Sequence, residues 1–385
     1  MGSIIYFDNG ATTFPKPVRV EHAVIGALRK YGANPGRSGH SMSIDTAVKV
    51  YECREAAAAM FGAESPENVV FTPNCTVAIN LAVKGLLKQG DHVIISDIEH
   101  NSVLRPVHKL ASRGIITYSV AQIYEGDDEA TLNSFRTLMR PNTRLVACSH
   151  GSNVWGIIAP ISKIGEMARE KSAFFLVDAA QTAGVVKVDM QKQNIDFLCI
   201  AGHKSLYGPP GTGMLITAIG KNLDTIIEGG SGTFSASYIQ PEEMPERLES
   251  GTVNTMGIIG LNAGINYVCQ KGIDRIYSHE MRLSEIIYAG LSANKNIELY
   301  TKAFEKGIYL PVISFNIKGE ASEEVASKLS DMGFALRGGL HCSPLAHKKM
   351  GTTDTGAVRI SVGAFNTAAQ VNELCRAIER ISYSA

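Results

Sequence analysis

Between about residues 44 and 255 the chain alternates helical stretches with short, wholly apolar runs, and this alternation restricts it to a mostly parallel sheet covered by helices. The runs at 92–96, 145–149, 174–177 and 197–200 are apolar at nearly every position rather than at every second one. Strands of that kind are buried on both faces. Helices are expected at 46–61, which is rich in Ala, and at 76–87, closed by Gly90, with a short strand at 68–72. Each strand ends in polar or small residues, where open α/β sheets keep their sites.

Beyond Gly251 the pattern changes. A long helical stretch over 256–270 continues toward 292. It is followed by strand-like 310–317, helical 322–332, strand-like 358–361 and a terminal helix from 367. This reads as a smaller α+β lobe. At 385 residues the chain exceeds what one core usually supports, and its 45% hydrophobic content suffices for two. No repeat or low-complexity linker separates the lobes, so the site is expected in the crevice between them.

Lys plus Arg and Asp plus Glu are balanced at 37 each, which leaves no electrostatic case for nucleic acid or an anionic membrane. Residues 1–9 lack a basic stretch leading into an apolar core, and no apolar run is long enough to cross a bilayer. A cytoplasmic protein is the expectation. Its Cys residues, seven in number and never spaced Cys-x-x-Cys, suit a reduced compartment and argue against a disulfide or zinc framework. No His-Glu-x-x-His or other clustered set suggests a metal, and Gly208-Pro-Pro-Gly-Thr-Gly lacks the Gly-Lys-Ser/Thr of a P-loop.

Chemistry concentrates at two strand ends. Leu-Val-Asp178-Ala-Ala-Gln181 closes one apolar run, and Ala-Gly-His203-Lys204-Ser-Leu-Tyr-Gly-Pro-Pro-Gly closes the next. An Asp and a Lys so placed supply what pyridoxal phosphate requires: a carboxylate for the pyridine nitrogen and an amine for the aldehyde. Either residue alone would read as a helix cap or a surface lysine. Asn74-Cys75-Thr76, between a strand and a helix, supplies a helix N-terminus suited to the cofactor's phosphate, and equally suited to an ordinary N-cap.

These segments, with Glu99-His100-Asn, Ser152-Asn153-Val, Ser250-Gly251-Thr252-Val-Asn and Arg359-Ile-Ser-Val, resemble the class V aminotransferase superfamily. Within it the chain is most similar to the shorter-loop, Suf-type cysteine desulfurases and selenocysteine lyases. The resemblance runs from Tyr6-Phe-Asp-Asn-Gly-Ala-Thr-Thr to Phe365-Asn-Thr. It implies the aspartate aminotransferase-like fold type I of pyridoxal phosphate enzymes: a large cofactor-binding α/β domain (16–255) and a small α+β domain (1–15 and 256–385), working as a homodimer.

The resemblance also implies individual roles. Cys75, Thr76 and His203 would sit at the cofactor phosphate, and Thr252 would reach the phosphate of the other subunit. His100 would stack on the ring and move protons, Gln181 would bond the phenolic oxygen, and Asn153 would orient cofactor and substrate. Arg359 would grip the substrate carboxylate, a task for which a planar guanidinium is suited. Arg37 and His40, in Asn-Pro-Gly-Arg-Ser-Gly-His, fall in the substrate-side loop. Cys342, in Leu-Arg337-Gly-Gly-Leu-His341-Cys342-Ser-Pro, would carry a persulfide. Nearby cationic groups favour its thiolate, whereas Cys148, Cys199, Cys269 and Cys375 read as buried and inert.

Three departures from the family pattern stand out. Asn74-Cys75 replaces Gly-Thr or Gly-Ala, and Leu340 stands where a His is usual. Ala201 replaces a Ser, removing a donor for the charged phosphate that would contribute about 1.5–3 kcal/mol. The activity expected is conversion of L-cysteine to L-alanine, with sulfur passing through Cys342 to an acceptor protein or thiol that the sequence does not name. The alternatives are a selenocysteine lyase or another C–S lyase on the same scaffold, acting on L-selenocysteine or a related amino acid, and a non-catalytic cofactor-binding or sulfur-carrier protein.

Overall fold

The computed structural model describes residues 4–36, 39–301 and 304–384. In chain order its elements are β1 (Ile5–Tyr6), α1 (Val18–Lys30), α2 (Ser41–Phe61), β2 (Val69–Thr72), α3 (Cys75–Leu86), β3 (His92–Ser96), α4 (Asn101–Ser112), β4 (Thr117–Ala121), α5 (Asp128–Leu138), β5 (Thr143–Ser149), α6 (Ile161–Glu170), β6 (Phe174–Asp178), β7 (Phe197–Ala201) and β8 (Gly213–Ile216). The C-terminal third adds α7 (Thr255–Lys271), α8 (Ile273–Ser292), β9 (Ile297–Leu299), β10 (Val312–Ile317), α9 (Ser322–Asp331), β11 (Phe334–Ala335), α10 (Pro344–Met350), β12 (Val358–Ser361) and α11 (Ala368–Ser384).

Among the described residues the main sheet has seven strands in the order β2-β8-β7-β6-β5-β3-β4. Strands β3 to β7 run parallel, and β8 is antiparallel to its neighbours β7 and β2. Side chains alternate across the pleat: Val146 and Cys148 of β5, with Phe175 and Val177 of β6, enter the core beneath α2, α6 and α7. Leu145, Ala147 and Leu176 enter the opposite core with Ile79 and Val83 of α3 and Val103 of α4. Fully burying each large aliphatic or aromatic side chain contributes roughly 1.5–3 kcal/mol. Both faces being covered explains why these strands carry no polar alternation.

The stretch from 256 to 292 is two helices rather than one. Gly272, at φ +85°, ends α7, a conformation that L side chains rarely adopt. Buried Ile258, Leu261 and Ile265 of α7 join the core of the main sheet. A separate core begins with α8 and gathers Phe7, Leu283, Ile287, Phe315, Val325, Val358 and Leu374. The expected lobe division at 255/256 thus falls at the start of a helix that packs on the large lobe. Strand β1 pairs in parallel with β11, which carries the N-terminus into the C-terminal lobe. There β12-β10-β9 form an antiparallel sheet.

Two local differences have physical causes. Helix α2 starts at Ser41, ahead of the apolar pattern, because His40 caps it: its Nδ1 accepts from Ser43 N–H at 3.2 Å. Strand β4 lies at the sheet's edge, where exposed Thr117 and Val120 hide it from a search for apolar runs. Among the described residues no helix is long and apolar enough to cross a membrane.

Candidate active site

The C-terminal ends of β5, β6 and β7 and the loop after β2 open into one pocket, lined by Thr76, His100, Asn153, Asp178, Gln181, His203 and Lys204. Asp178 is the last residue of β6 and is buried at 6% exposure. Its Oδ1 accepts Ala180 N–H at 2.9 Å and faces Cys75 Sγ at 3.5 Å, and its Oδ2 accepts from Ser102 Oγ at 3.4 Å. Among the described residues no ion pair reaches it. A buried carboxylate left this way calls for a cationic partner from the cavity it faces. Lys204 stands two residues beyond Gly202 at the end of β7. Burial lowers the pKa of its amine, with the Asp178 charge opposing that shift and Arg359 adding to it.

At the head of α3, Asn74 Oδ1 accepts Val77 N–H at 3.0 Å, leaving the first-turn N–H groups of Cys75 and Thr76 beside the pocket. Gly213 of β8 makes this approach possible, since a Cβ there would lie 2.5 Å from the Asn74 carbonyl carbon. Burial also pushes the Cys75 thiol well up. The wall containing His203 is pinned by the N-terminal segment: its carbonyl accepts from Thr12 Oγ1 at 3.0 Å, Thr13 N–H at 3.3 Å and Lys16 Nζ at 2.6 Å. Burial, reinforced by the Lys204 and Lys16 charges, pushes the His203 imidazole down to about 4, so it is neutral.

His100 caps α4, with Nδ1 accepting Ser102 N–H at 3.1 Å and lying 2.9 Å from Ser102 Oγ. Its Nδ1 is thereby held as an acceptor and its Nε2 left for the pocket. Burial lowers its pKa against the opposing charge of Asp178. Beneath it, fully buried Glu99 ties β3 to β5 by accepting from Ser96 Oγ, Ser149 N–H at 2.8 Å and Ser149 Oγ at 2.8 Å. Burial pushes its carboxyl from the ordinary 4.5 up to about 7, the Ser96 and Ser149 bonds only partly offsetting this and the Asp178 charge adding to it.

A carboxyl raised on folding holds its proton more tightly in the folded state. Its contribution to stability is full below about 4.5 and is lost as pH rises through about 7. Urea unfolding of Glu99→Gln, which cannot titrate, should therefore show a smaller loss of stability between about pH 5 and about pH 8 than the parent. Equal losses would place the ionisation elsewhere.

Arg359, on β12, does not line the Lys204 pocket. It lies behind Asn153, donating from Nη1 to the Asn153 carbonyl at 3.1 Å and from Nη2 to Asp8 Oδ1 at 2.5 Å. Asn153 is engaged at its amide as well: Nδ2 donates to the His341 carbonyl at 2.8 Å, and Oδ1 accepts from Ser343 Oγ at 2.5 Å. Gln181 donates from Nε2 to the Gly10 carbonyl at 3.0 Å. Cys342 is exposed, at φ +58° beside His341 at φ +49°, and its carbonyl accepts Asn101 N–H at 2.8 Å. The Cys342 loop is therefore tied to the pocket rim at His100–Asn101 and Asn153.

Thr252 lies outside this pocket, with its Oγ1 accepting from Asn34 Nδ2 at 3.2 Å. His40 is an exposed helix cap away from it, and Arg37 lies outside the described residues. Cys148 and Cys199 are buried as expected and Cys375 is half-buried, but Cys269 is exposed, because it falls on the outer face of α7. Sequence reasoning missed Asp8, Thr12, Lys16, Ser102 and Ser149. Asp8 and Thr12 stood inside the Tyr6-Phe-Asp-Asn-Gly-Ala-Thr-Thr motif, which was the available signal.

The chain belongs to the aminotransferase class-V family, whose model matches residues 5–374. Within that family its relatives are cysteine desulfurases. It is 34% identical to a probable cysteine desulfurase of Methanothermobacter thermautotrophicus and 34% identical to another of Pyrococcus abyssi, each match covering 98% of this chain and 94% of the relative. The apo structure of a cysteine desulfurase from Thermococcus onnurineus superposes with a TM-score of 0.90 at 33% identity, covering 99% of this chain and 95% of that one. The cysteine desulfurase CsdA of Escherichia coli, in its S-sulfonic acid form, gives 0.87 at 25% identity, covering 98% and 94%. The fold is thus that of the type I pyridoxal phosphate enzymes, and the family depends on that cofactor.

The residues present fit it. The open donors of α3 suit a phosphate, the buried Asp178 carboxylate, hydrogen-bonded but in no ion pair among the described residues, suits a protonated pyridine nitrogen, and the Lys204 amine suits an aldehyde.

Proposed function

We propose that this chain binds pyridoxal phosphate and acts as a cysteine desulfurase, converting L-cysteine to L-alanine and leaving the sulfur on Cys342 as a persulfide. The reading is carried by the convergence of Lys204, the unpaired Asp178 and the α3 N-terminus on one pocket to whose rim the Cys342 loop is tied. The cofactor, when bound, supplies an electron sink for the substrate Cα. Asp178 would pair with the pyridine nitrogen and keep it protonated, and Ser102 and Ala180 N–H keep its carboxylate aimed. Thr76, Cys75 N–H and His203 hold the phosphate.

Lys204, whose amine burial biases toward the neutral form, takes the proton from the substrate Cα. His100, with Nδ1 fixed by Ser102, presents Nε2 to the reacting centre. The balance is simple: one thiol and one L-cysteine give one persulfide and one L-alanine, so no outside oxidant is needed. Arg359 binds the substrate carboxylate, while Asn153 positions the Cys342 loop as well as the substrate. Arg37 and His40 belong to the approach.

We also place a second copy of the chain across this face. Met42, Ile44 and Val48 of α2 are at least half exposed, and exposed large apolar patches mark interaction surfaces. Thr252, lying outside its own pocket, is then available to the partner's.

The test is to incubate the purified holoenzyme with L-cysteine or L-selenocysteine, with and without a thiol reductant, and to quantify alanine, sulfide and selenide. Alanine from L-cysteine, with sulfide released on reduction, is expected. Alanine from L-selenocysteine alone would replace this reading with a lyase. Cofactor binding with no turnover of either would make the chain a binding partner.

A further inference from the structure

Arg359 is the largest fully buried side chain of the described residues, and its charge is already neutralised. Asp8 Oδ1 accepts from Nη2 at 2.5 Å, the Asn153 carbonyl accepts from Nη1 at 3.1 Å, and Nε is buried with no partner. The Asp8 contact is single-pronged, engaging one oxygen, and the Asp8 side chain keeps 20% of its surface exposed. Two neighbours of the guanidinium connect it to the pocket lining. One is Asn153, which lines the pocket; the other is Gly10, where an added Cβ would come within 3.2 Å of Arg359 Cζ. The Gly10 carbonyl accepts from Gln181, another pocket residue. Directly behind the pocket residue Gln181, position 10 thus carries no side chain over the guanidinium.

A substrate carboxylate that binds Arg359 meets a cation already paired with an anion. Two carboxylates on one buried guanidinium repel each other in a poorly screened site. We propose that Asp8 is a built-in competitor for the substrate carboxylate: it holds the Arg359 carboxylate slot in the free enzyme, and a substrate must displace it. Asp8 is thus a positioning residue that acts through Arg359. The exchange keeps a buried arginine from standing uncompensated between turnovers, and it weakens the hold on any carboxylate, L-alanine included. A purely structural ion pair would behave oppositely, because loosening Arg359 would weaken carboxylate binding.

The proposal rests on the desulfurase reading only for the identity of the substrate, and its test needs no turnover. Asp8→Asn keeps an oxygen acceptor for Nη2 while removing the charge. Calorimetric titration of the holoenzyme with L-alanine and, separately, with acetate should show both binding at least about tenfold more tightly to Asp8→Asn than to the parent. Unchanged or weaker binding overturns the proposal. Removing one partner of a buried pair lowers stability. Should Asp8→Asn fail to fold, Asp8→Ser gives the same reading from thermal unfolding: acetate should raise its midpoint more than it raises the parent's, and an equal or smaller rise overturns the proposal. A parent that binds L-alanine but forms none from L-cysteine would instead remove the proposed function.

Discussion

Lys204→Ala is expected to lower alanine formation from L-cysteine by about 10³-fold or more. The side chain does two things that no neighbour can take over. On the proposed function its amine meets the cofactor aldehyde, and among the described pocket residues it is the one lysine. The same proposal has it move the Cα proton, and burial, which lowers its pKa against the opposing charge of Asp178, suits that role. His203 and His100 are both shifted downward by burial, so neither offers a cation in its place. Lys204→Arg should not rescue the loss, since a guanidinium stays protonated and cannot act as base. Measurement is by alanine release, paired with the visible absorption of the cofactor. A Lys204→Ala variant within about tenfold of the parental rate would assign the proton transfer to another residue.

Cys342→Ala should lower alanine formation from L-cysteine by about 10²-fold or more while leaving the protein folded and yellow. The reason is geometric. Two adjacent non-glycine residues at positive φ, His341 and Cys342, leave the thiol's residue exposed, and Asn153 and Asn101 donate to their two carbonyls. A loop held in such a conformation is maintained by its surroundings rather than by local preference. Mass spectrometry of the parent after exposure to L-cysteine should find one added sulfur on the peptide containing Cys342 and none on those containing Cys148 or Cys199, which are buried. If the variant releases sulfide from L-cysteine at the parental rate, the persulfide step is wrong. Turnover of L-selenocysteine is expected to fall less, because its elimination does not require the thiol.

The large lobe was readable because its determinants are local. β3, β6 and β7 appear within a residue of the apolar runs that announced them, since strands buried on both faces must be apolar throughout. The exposed edge strand β4 gave no such signal, and the break at Gly272 was masked by apolar residues on both sides. Within the site, the pattern located Asp178, Lys204, His203, Thr76 and His100 at the ends of strands or the starts of helices, and the family resemblance, not the pattern, supplied their expected roles. Ser102 and Glu99 were not assigned roles. Their importance lies in which atoms they meet across the sheet, and no spacing in the sequence encodes that.

By itself the sequence determined the α/β architecture, the Asp178–Lys204 pair and the chemistry that this pair serves. The architecture and the placement of the two residues follow from periodicity and from their distance to a strand end, where backbone geometry dictates placement; the chemistry follows from the resemblance to a family. Only the tertiary structure decided that Arg359 lies paired with Asp8, which is 351 positions away, and that the Cys342 loop is anchored to Asn101 and Asn153. Those contacts join segments far apart in the chain, the N-terminal segment to β12 and the Cys342 loop to residues 101 and 153. In a close-packed interior the partner of a buried charge is chosen by what the packing brings within about 3 Å, not by its neighbours in the chain.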